Sequence, residues 1–148
     1  MNDSDFLSHG LADLRRIVVK VGTNLLRGAQ EGLDLEFMDQ LAVQVGQVNR
    51  RGVDVRLVSS GSVGAGAYVM GFEEPPSDIN ARQALAAVGQ SRLMHHYKGV
   101  FKGHGIKVAQ VLLTRNSMDN RKRYLNARTT FETLLDWNVL PIVNENDT

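Results

Sequence analysis

The stretch Ile17-Val18-Val19-Lys20-Val21-Gly22-Thr23 is an apolar, strand-like run that stops abruptly in small and polar residues. Two further stretches have the same design, Arg56-Leu57-Val58-Ser59-Ser60-Gly61 and Pro141-Ile142-Val143-Asn144-Glu145-Asn146-Asp147. Because the carboxyl ends of parallel strands lie along one edge of a sheet, these stretches predict a lysine, a Gly/Ser turn and a carboxylate in one crevice. Such a crevice suits an anionic phosphoryl group and an amino-acid substrate.

Composition sets limits on the class of protein. With 148 residues, of which 43% are hydrophobic and 22% charged, the chain fits one globular domain. A formal net charge of +1 gives no overall field that would attract nucleic acid or an anionic membrane, so any anion site must be local. The absence of cysteine excludes disulfide and thiolate chemistry. Because there is no long apolar run and no cationic leader, we expect a cytoplasmic protein that does not bind membranes.

Hydrophobic periodicity predicts alternating strands and helices. Strands are expected at 16–21, 53–59, 106–113 and 139–143, and helices from the Asp34 cap to before Gly52, over 79–101 after a cap at Ser77 or Asp78, and over 120–136, with a short helix or loop after Gly61. This order predicts an α/β fold, a three-layer αβα sandwich with a mostly parallel sheet. Residues 1–14 are expected to form a weakly ordered leader. Gly89 marks a bend or a close-packing point, and Pro141 favours an edge strand or a strand start.

Lys20 and the turn after it form the first candidate site. A cation near the end of a strand can neutralise phosphate oxygens and the charge that develops during phosphoryl transfer. Gly22 and the adjacent Thr23 would let the backbone approach a phosphate. A lysine that extends from a strand end into solvent is the structural alternative.

The second candidate is the serine- and glycine-rich turn that begins at Ser59. Ser60 and Gly61 open a strand-to-helix turn whose backbone N–H groups can hold a carboxylate or a phosphate. The glycine spacing matches neither the dinucleotide fingerprint nor the P-loop, so an ordinary tight turn remains an alternative. Ser60 has no obvious histidine and aspartate partners and is not predicted to be a nucleophile.

The third candidate is the loop that contains Asn144 and Asp147. Its two amides and two carboxylates can bind an ammonium group, orient a lysine or accept hydrogen bonds from a substrate. The alternative is a polar turn with side-chain capping. The four histidines are scattered, so no zinc site is expected, and the basic segment 120–128 is interpreted as a solvated helix face rather than a nucleic-acid contact.

Six blocks of sequence, in order and spacing, resemble the amino acid kinase family. These blocks are VKVGT (19–23), SSGSVGAG (59–66), AAVGQSRL (86–93), LLTR (112–115), YLNAR (124–128) and VNEND (143–147). The resemblance covers the chain from about Arg16 to Thr148 and is strongest to the branch that phosphorylates glutamate. It therefore implies that residues 15–148 form the N-terminal part of an amino acid kinase domain.

The resemblance implies ATP-dependent phosphorylation of the side-chain carboxylate of L-glutamate to L-glutamyl 5-phosphate, the first step of proline biosynthesis. It implies a phosphate-contacting role for Lys20, with Gly22 and Thr23 beside it. It also implies glutamate binding by Ser60, Gly61, Asn144 and Asp147. Mg²⁺ as a cofactor, proline as a feedback inhibitor and a homo-oligomeric assembly are implied in the same way.

Two alternatives remain open at this stage. Because the family's second essential lysine and most of its nucleotide pocket follow the VNEND block, we expect this chain alone to be inactive. It could instead be a non-catalytic module that binds glutamate or proline, or that pairs with a subunit supplying the missing half. Within the kinase class, the alternative substrate is N-acetylglutamate.

Overall fold

The computed structural model describes residues 14–28, 32–114 and 119–145, so nearly all of the predicted leader lies outside the described residues. The strands are β1 Arg16–Val21, β2 Asp54–Ser59, β3 Lys107–Leu113 and β4 Val139–Glu145. The helices are α1 Thr23–Leu26, α2 Leu35–Asn49, α3 Ser62–Met70, α4 Ile79–Gly103 and α5 Arg121–Asp136. Of these described helices, none combines the length and the apolar character that crossing a bilayer requires.

The four described strands form one sheet in the order β1-β2-β4-β3, and every pairing is parallel. In the register of β1 and β2, Lys20 lies beside Val58 and Val21 beside Ser59. All four described strands therefore end at the same edge, which places the beginnings of the three predicted loops there. This sheet confirms the predicted α/β class.

One face of the sheet carries the core. In β2 the residues Val55, Leu57 and Ser59 are buried and alternate with less buried neighbours. Helices α2 and α4 cover this face, and Tyr97 and Phe101 of α4 are completely buried in the same cluster. Burial of these large side chains stabilises the sheet and fixes the position of α4 relative to it.

Helix α5 packs against the opposite face and completes the three-layer arrangement. The guanidinium of Arg56, which points away from the core face of β2, lies 5.7 Å from the ring centroid of Phe131 in α5. This side is much less buried, since α5 contains no buried residue and Val18 of β1 is 61% exposed.

The predicted helix starts are confirmed by side-chain caps. The Asp34 carboxylate accepts a hydrogen bond from the Phe37 backbone N–H at 2.9 Å, and that of Asp78 accepts from the Ala81 N–H at 2.8 Å. Asn120 caps α5 in the same way. Each cap satisfies a backbone donor that the first helical turn leaves unpaired.

The prediction for Pro141 was wrong. Pro141 is buried in β4, which lies between β2 and β3 and is an interior strand. Its pairing with β3 continues through Pro141, but the pairing with β2 is restricted to Ile142 and Val143, just after the proline. The missing proline N–H is therefore accommodated by a shortened ladder on one side.

Helices α3 and α4 approach each other through glycine. A Cβ atom added to Gly89 of α4 would overlap the carbonyl oxygen of Ser62, and one added to Gly66 of α3 would overlap the carbonyl oxygen of Leu85. Of the two interpretations given for Gly89, close packing is the one that the structure bears out. Only glycine leaves room for this backbone-to-backbone contact.

A buried chain of hydrogen bonds links α4 to the end of β2. The Ser59 Oγ lies 3.0 Å from the Ser60 carbonyl oxygen, to which it donates, and 2.8 Å from the Tyr97 hydroxyl. Because the single Ser59 proton goes to that carbonyl, Tyr97 must be the donor to Ser59. Ser59 is 1% exposed, so the chain satisfies polar groups that water does not reach.

We predict that Gly89→Ala lowers the free energy of unfolding by at least about 3 kcal/mol, because its methyl group would force two backbones apart. Gly99→Ala in the same helix is the matched control, since a Cβ there meets nothing within 4 Å. The control should be neutral or stabilising by up to about 1 kcal/mol. Urea denaturation followed by circular dichroism measures both changes, and equal effects would contradict the packing argument.

Burial raises the pKa of Tyr97 from 10.0 to about 12. Between these two pH values the unfolded chain loses the Tyr97 proton while the folded chain keeps it, so the stability contribution present below pH 10 is lost as the pH rises. We predict that the free energy of unfolding falls in this interval by up to about 1.4 kcal/mol per pH unit more in the wild type than in Tyr97→Phe. Tyr124→Phe, at an exposed tyrosine, should keep the wild-type slope.

Candidate functional site

A cavity of about 740 Å³ lies at the edge where the strands end. Five of the predicted site residues line it: Lys20, Thr23, Ser60, Gly61 and Asn144. They come from three separate segments of the chain, which the parallel order β1-β2-β4 brings side by side. The volume is within the range typical of small-molecule sites.

Two predicted site residues have a different status. Gly22 precedes α1 as its N-cap and is not among the residues that line the cavity, and a Cβ there would meet nothing within 4 Å. Asp147 lies outside the described residues, so its role stays a prediction. Glu145, the last described residue of the same loop, does line the cavity.

Lys20 is exposed one residue before the end of β1. The Ser60 backbone N–H donates to the Val21 carbonyl oxygen at 3.0 Å, which joins the turn after β2 to the end of β1. This bond holds the Ser60 backbone beside the strand that carries Lys20. The position of Lys20 therefore follows from strand register.

The turn after Ser60 leads directly into α3. Gly61 has a φ angle of +106°, a left-handed conformation that favours glycine, and it forms the N-cap of α3 without a side-chain hydrogen bond. Ser62, Val63 and Gly64 of the first helical turn line the cavity. The N-terminal end of α3, with its unpaired N–H groups and positive dipole end, thus adjoins the cavity and can hold an anion.

Asn144 is the last core-facing residue of β4 and is only 9% exposed. Its Nδ2 donates to the Gln90 Oε1 of α4 at 2.6 Å, and its Oδ1 accepts from the Glu145 backbone N–H at 2.9 Å. The Asn144 side chain therefore holds the first residue of the following loop while it lines the cavity.

Cationic side chains outnumber carboxylates among the described residues that line the cavity. Lys20, Arg27 and Arg82 line it, against the carboxylates of Glu73 and Glu145. This local surplus is consistent with the expectation that an anion site must be local in a nearly neutral chain. Phosphate and carboxylate groups are the natural ligands of such a wall.

Sequence reasoning missed Arg27, Arg82 and Tyr68. Arg82 lies in the first turn of α4, and Tyr68 lies in α3 with its ring 5.2 Å from the Arg92 guanidinium. None of the three lies in one of the strand-end stretches from which the site was predicted. The early part of α4 reaches the cavity only because the glycine contact brings α4 against α3, and no local sequence pattern reports this proximity.

Comparison with known proteins gives a consistent assignment. The model of the amino acid kinase family matches residues 15–148. Among curated proteins, the chain is 46% identical to a glutamate 5-kinase of Citrifermentans bemidjiense, 48% to one of Geobacter metallireducens and 49% to one of Maridesulfovibrio salexigens. Each alignment covers 93% of this chain but only 36–37% of the relative.

The chain therefore spans a little over a third of the length of these relatives, and what it shares with them is an N-terminal portion. The family match extends over nearly all of the sequence, and the parallel sheet with its cavity at the carboxyl edge agrees with it. The chain belongs to the amino acid kinase family.

Proposed function

We propose that this chain is the glutamate-binding part of an enzyme that uses ATP to phosphorylate the side-chain carboxylate of L-glutamate, giving L-glutamyl 5-phosphate for proline biosynthesis. The observation that carries the proposal is the single cavity that Lys20, the N-terminal end of α3 and Asn144 line together. The names of the relatives support glutamate as the acceptor.

Transfer between ATP and a carboxylate brings two anions together, so the site must screen their repulsion. We assign Lys20 to the phosphoryl group that moves, because Lys20 is an exposed cation that lines the cavity. The N-terminal end of α3 supplies further positive potential from uncapped N–H groups. Thr23 lines the cavity with Lys20 and adds a hydroxyl donor, whereas Gly22 lies outside the lining and its predicted phosphate contact is kept only as an expectation from the family resemblance.

Glutamate carries two carboxylates and one ammonium group, and the cavity offers donors and acceptors for both kinds. Gly61 can donate to a carboxylate through its backbone N–H and Ser60 through its hydroxyl, since the Ser60 N–H already donates to the Val21 carbonyl oxygen. Asn144 adds an amide at the end of the neighbouring strand β4. We assign Asp147 to the ammonium group, because a carboxylate is the charged acceptor that it requires.

The described residues fit ATP phosphates and Mg²⁺ only in part. Lys20 and the α3 N-terminal end suit phosphate oxygens, and Glu73 and Glu145 are the carboxylates at the described wall. Magnesium usually binds one or two protein carboxylates together with substrate phosphates, and when bound it would neutralise phosphate charge. Since relatives extend far beyond this chain, we propose that the isolated chain binds glutamate without turnover.

The remaining expectations stay predictions of the proposed function. They are a cytoplasmic location, proline as a feedback inhibitor and a homo-oligomer of the full-length enzyme. They depend on the family resemblance rather than on any contact described above.

The catalytic prediction concerns Lys20. In a chimera that joins this chain to the remainder of the Geobacter metallireducens glutamate 5-kinase, Lys20→Ala should lower kcat by at least about 100-fold, because it removes charge stabilisation from the transferring phosphoryl group. The KM for glutamate should change by less than about threefold. A coupled ADP-release assay measures both constants.

Lys107→Ala is the matched control, since Lys107 is an exposed lysine at the beginning of β3, at the opposite edge of the sheet. It should leave both constants unchanged. Normal turnover of the Lys20 variant would remove this residue from the mechanism. Activity of the unsubstituted chimera with N-acetylglutamate but not glutamate would refute the proposed substrate.

The binding prediction concerns Asp147. In calorimetry with the isolated chain, Asp147→Ala should raise the Kd for glutamate by at least about tenfold, as expected for loss of a charged hydrogen bond. Asp136→Ala, at the exposed end of α5, is the control and should bind as the wild type does. An unchanged Kd for the Asp147 variant would refute its assignment, and ATP turnover by the isolated chain would refute the proposed absence of activity.

A further inference from the structure

Helix α4 contacts the candidate site from the core side of the sheet through two polar side chains. Gln90 and Tyr97 are seven residues apart and therefore lie on one face of the helix, two turns from each other. Gln90 bonds to Asn144 at the end of β4, and Tyr97 bonds to Ser59 at the end of β2. We propose that Gln90 and Tyr97 are positioning residues that set the geometry of the glutamate site from the core side.

The Gln90 contact has a defined direction. The Glu145 backbone N–H can only donate, so it fixes which end of the Asn144 amide is oxygen. The Asn144 Nδ2 must then face Gln90, which in turn has to present its Oε1. One rotation of the Gln90 amide would place two N–H groups against each other, and the chain of amides therefore has a single satisfied arrangement.

These hydrogen bonds from Gln90 through Asn144 fix the backbone at the end of β4. With Nδ2 bound to Gln90, the Asn144 Oδ1 remains directed at the Glu145 N–H, at 2.9 Å. The backbone of Glu145 precedes the segment that contains Asp147. An acceptor on α4 thus fixes the orientation of the Glu145 backbone N–H at the end of β4.

The Tyr97 hydrogen bond acts on the turn between β2 and α3. Its proton goes to Ser59, and the Ser59 proton goes to the carbonyl oxygen of Ser60. This carbonyl belongs to the peptide group that joins Ser60 to Gly61. The two hydrogen bonds therefore orient the N–H group of Gly61. Fixing that peptide sets the start of α3, which follows immediately.

Neither Gln90 nor Tyr97 lines the cavity, whereas Ser60 and Asn144 do. Both residues of α4 therefore act through another side chain. A site whose binding groups are held in this way loses little freedom when the ligand binds.

The proposal rests on the proposed function, and its test uses two readouts on the isolated chain. Calorimetry gives the Kd for glutamate, and amide hydrogen exchange by NMR reports the Glu145 N–H without any ligand. Gln90→Met keeps the length of the side chain but removes the acceptor, so we expect the Kd to rise about tenfold and Glu145 exchange to accelerate by about the same factor.

Two variants control this experiment. Gln90→Glu retains an oxygen acceptor towards Asn144 and should restore both values to within about threefold of the wild type. Gln83→Met makes the same substitution at an exposed position of α4 and should change neither. Urea denaturation identifies any variant in which a changed Kd reflects unfolding.

Tyr97→Phe tests the second contact, with Tyr124→Phe as its control. We expect Gly61 exchange to accelerate and the glutamate Kd to rise in the first variant, and the control to behave as the wild type. If Gln90→Met and Tyr97→Phe leave both readouts unchanged, the positioning proposal is overturned. If the wild-type chain fails to bind glutamate while these amides still respond, the proposed function fails and the positioning of the loops stands.

Discussion

The contact between α3 and α4 is made by backbone atoms, because Gly66 and Gly89 have no side chains to separate the two helices. This close approach places the first turn of α3 directly over α4. It also brings the beginning of α4, with Arg82, to the cavity wall. A larger residue at either glycine would move α4 outward and would pull Gln90 away from Asn144. The geometry of the strand ends therefore depends on a packing constraint outside the sheet.

The sheet supplies proximity, but α4 supplies orientation. Parallel pairing alone brings the ends of β1, β2 and β4 together, because neighbouring strands are less than 5 Å apart. It does not determine which way a peptide or an amide faces at those ends. Two sets of hydrogen bonds from α4 do so, one buried at Tyr97 and one part-buried at Gln90, where unpaired polar groups would be costly.

Much of the fold could be predicted from the sequence because its signals are local. The β-branched run of β1, the caps at Asp34 and Asp78, and the glycine turns all act over a few residues, and the described elements begin and end close to the predicted positions. The prediction for Pro141 was wrong because the free-energy cost of its missing N–H depends on which neighbouring strand that N–H would face. That neighbour is decided by the strand order, which no local pattern contains.

The site was predictable to the extent that it follows from strand ends. Lys20, Ser60 and Asn144 terminate strands that pair in parallel, so the switch from apolar to polar residues located them. Arg27 directly follows α1 and lies four residues beyond Thr23, whereas Arg82 lies on α4 and reaches the cavity through tertiary packing. Among the described lining residues, three cations therefore stand against two carboxylates, in a chain whose net charge is +1. Local charge at a site is set by the fold, and the overall composition neither predicts it nor excludes it.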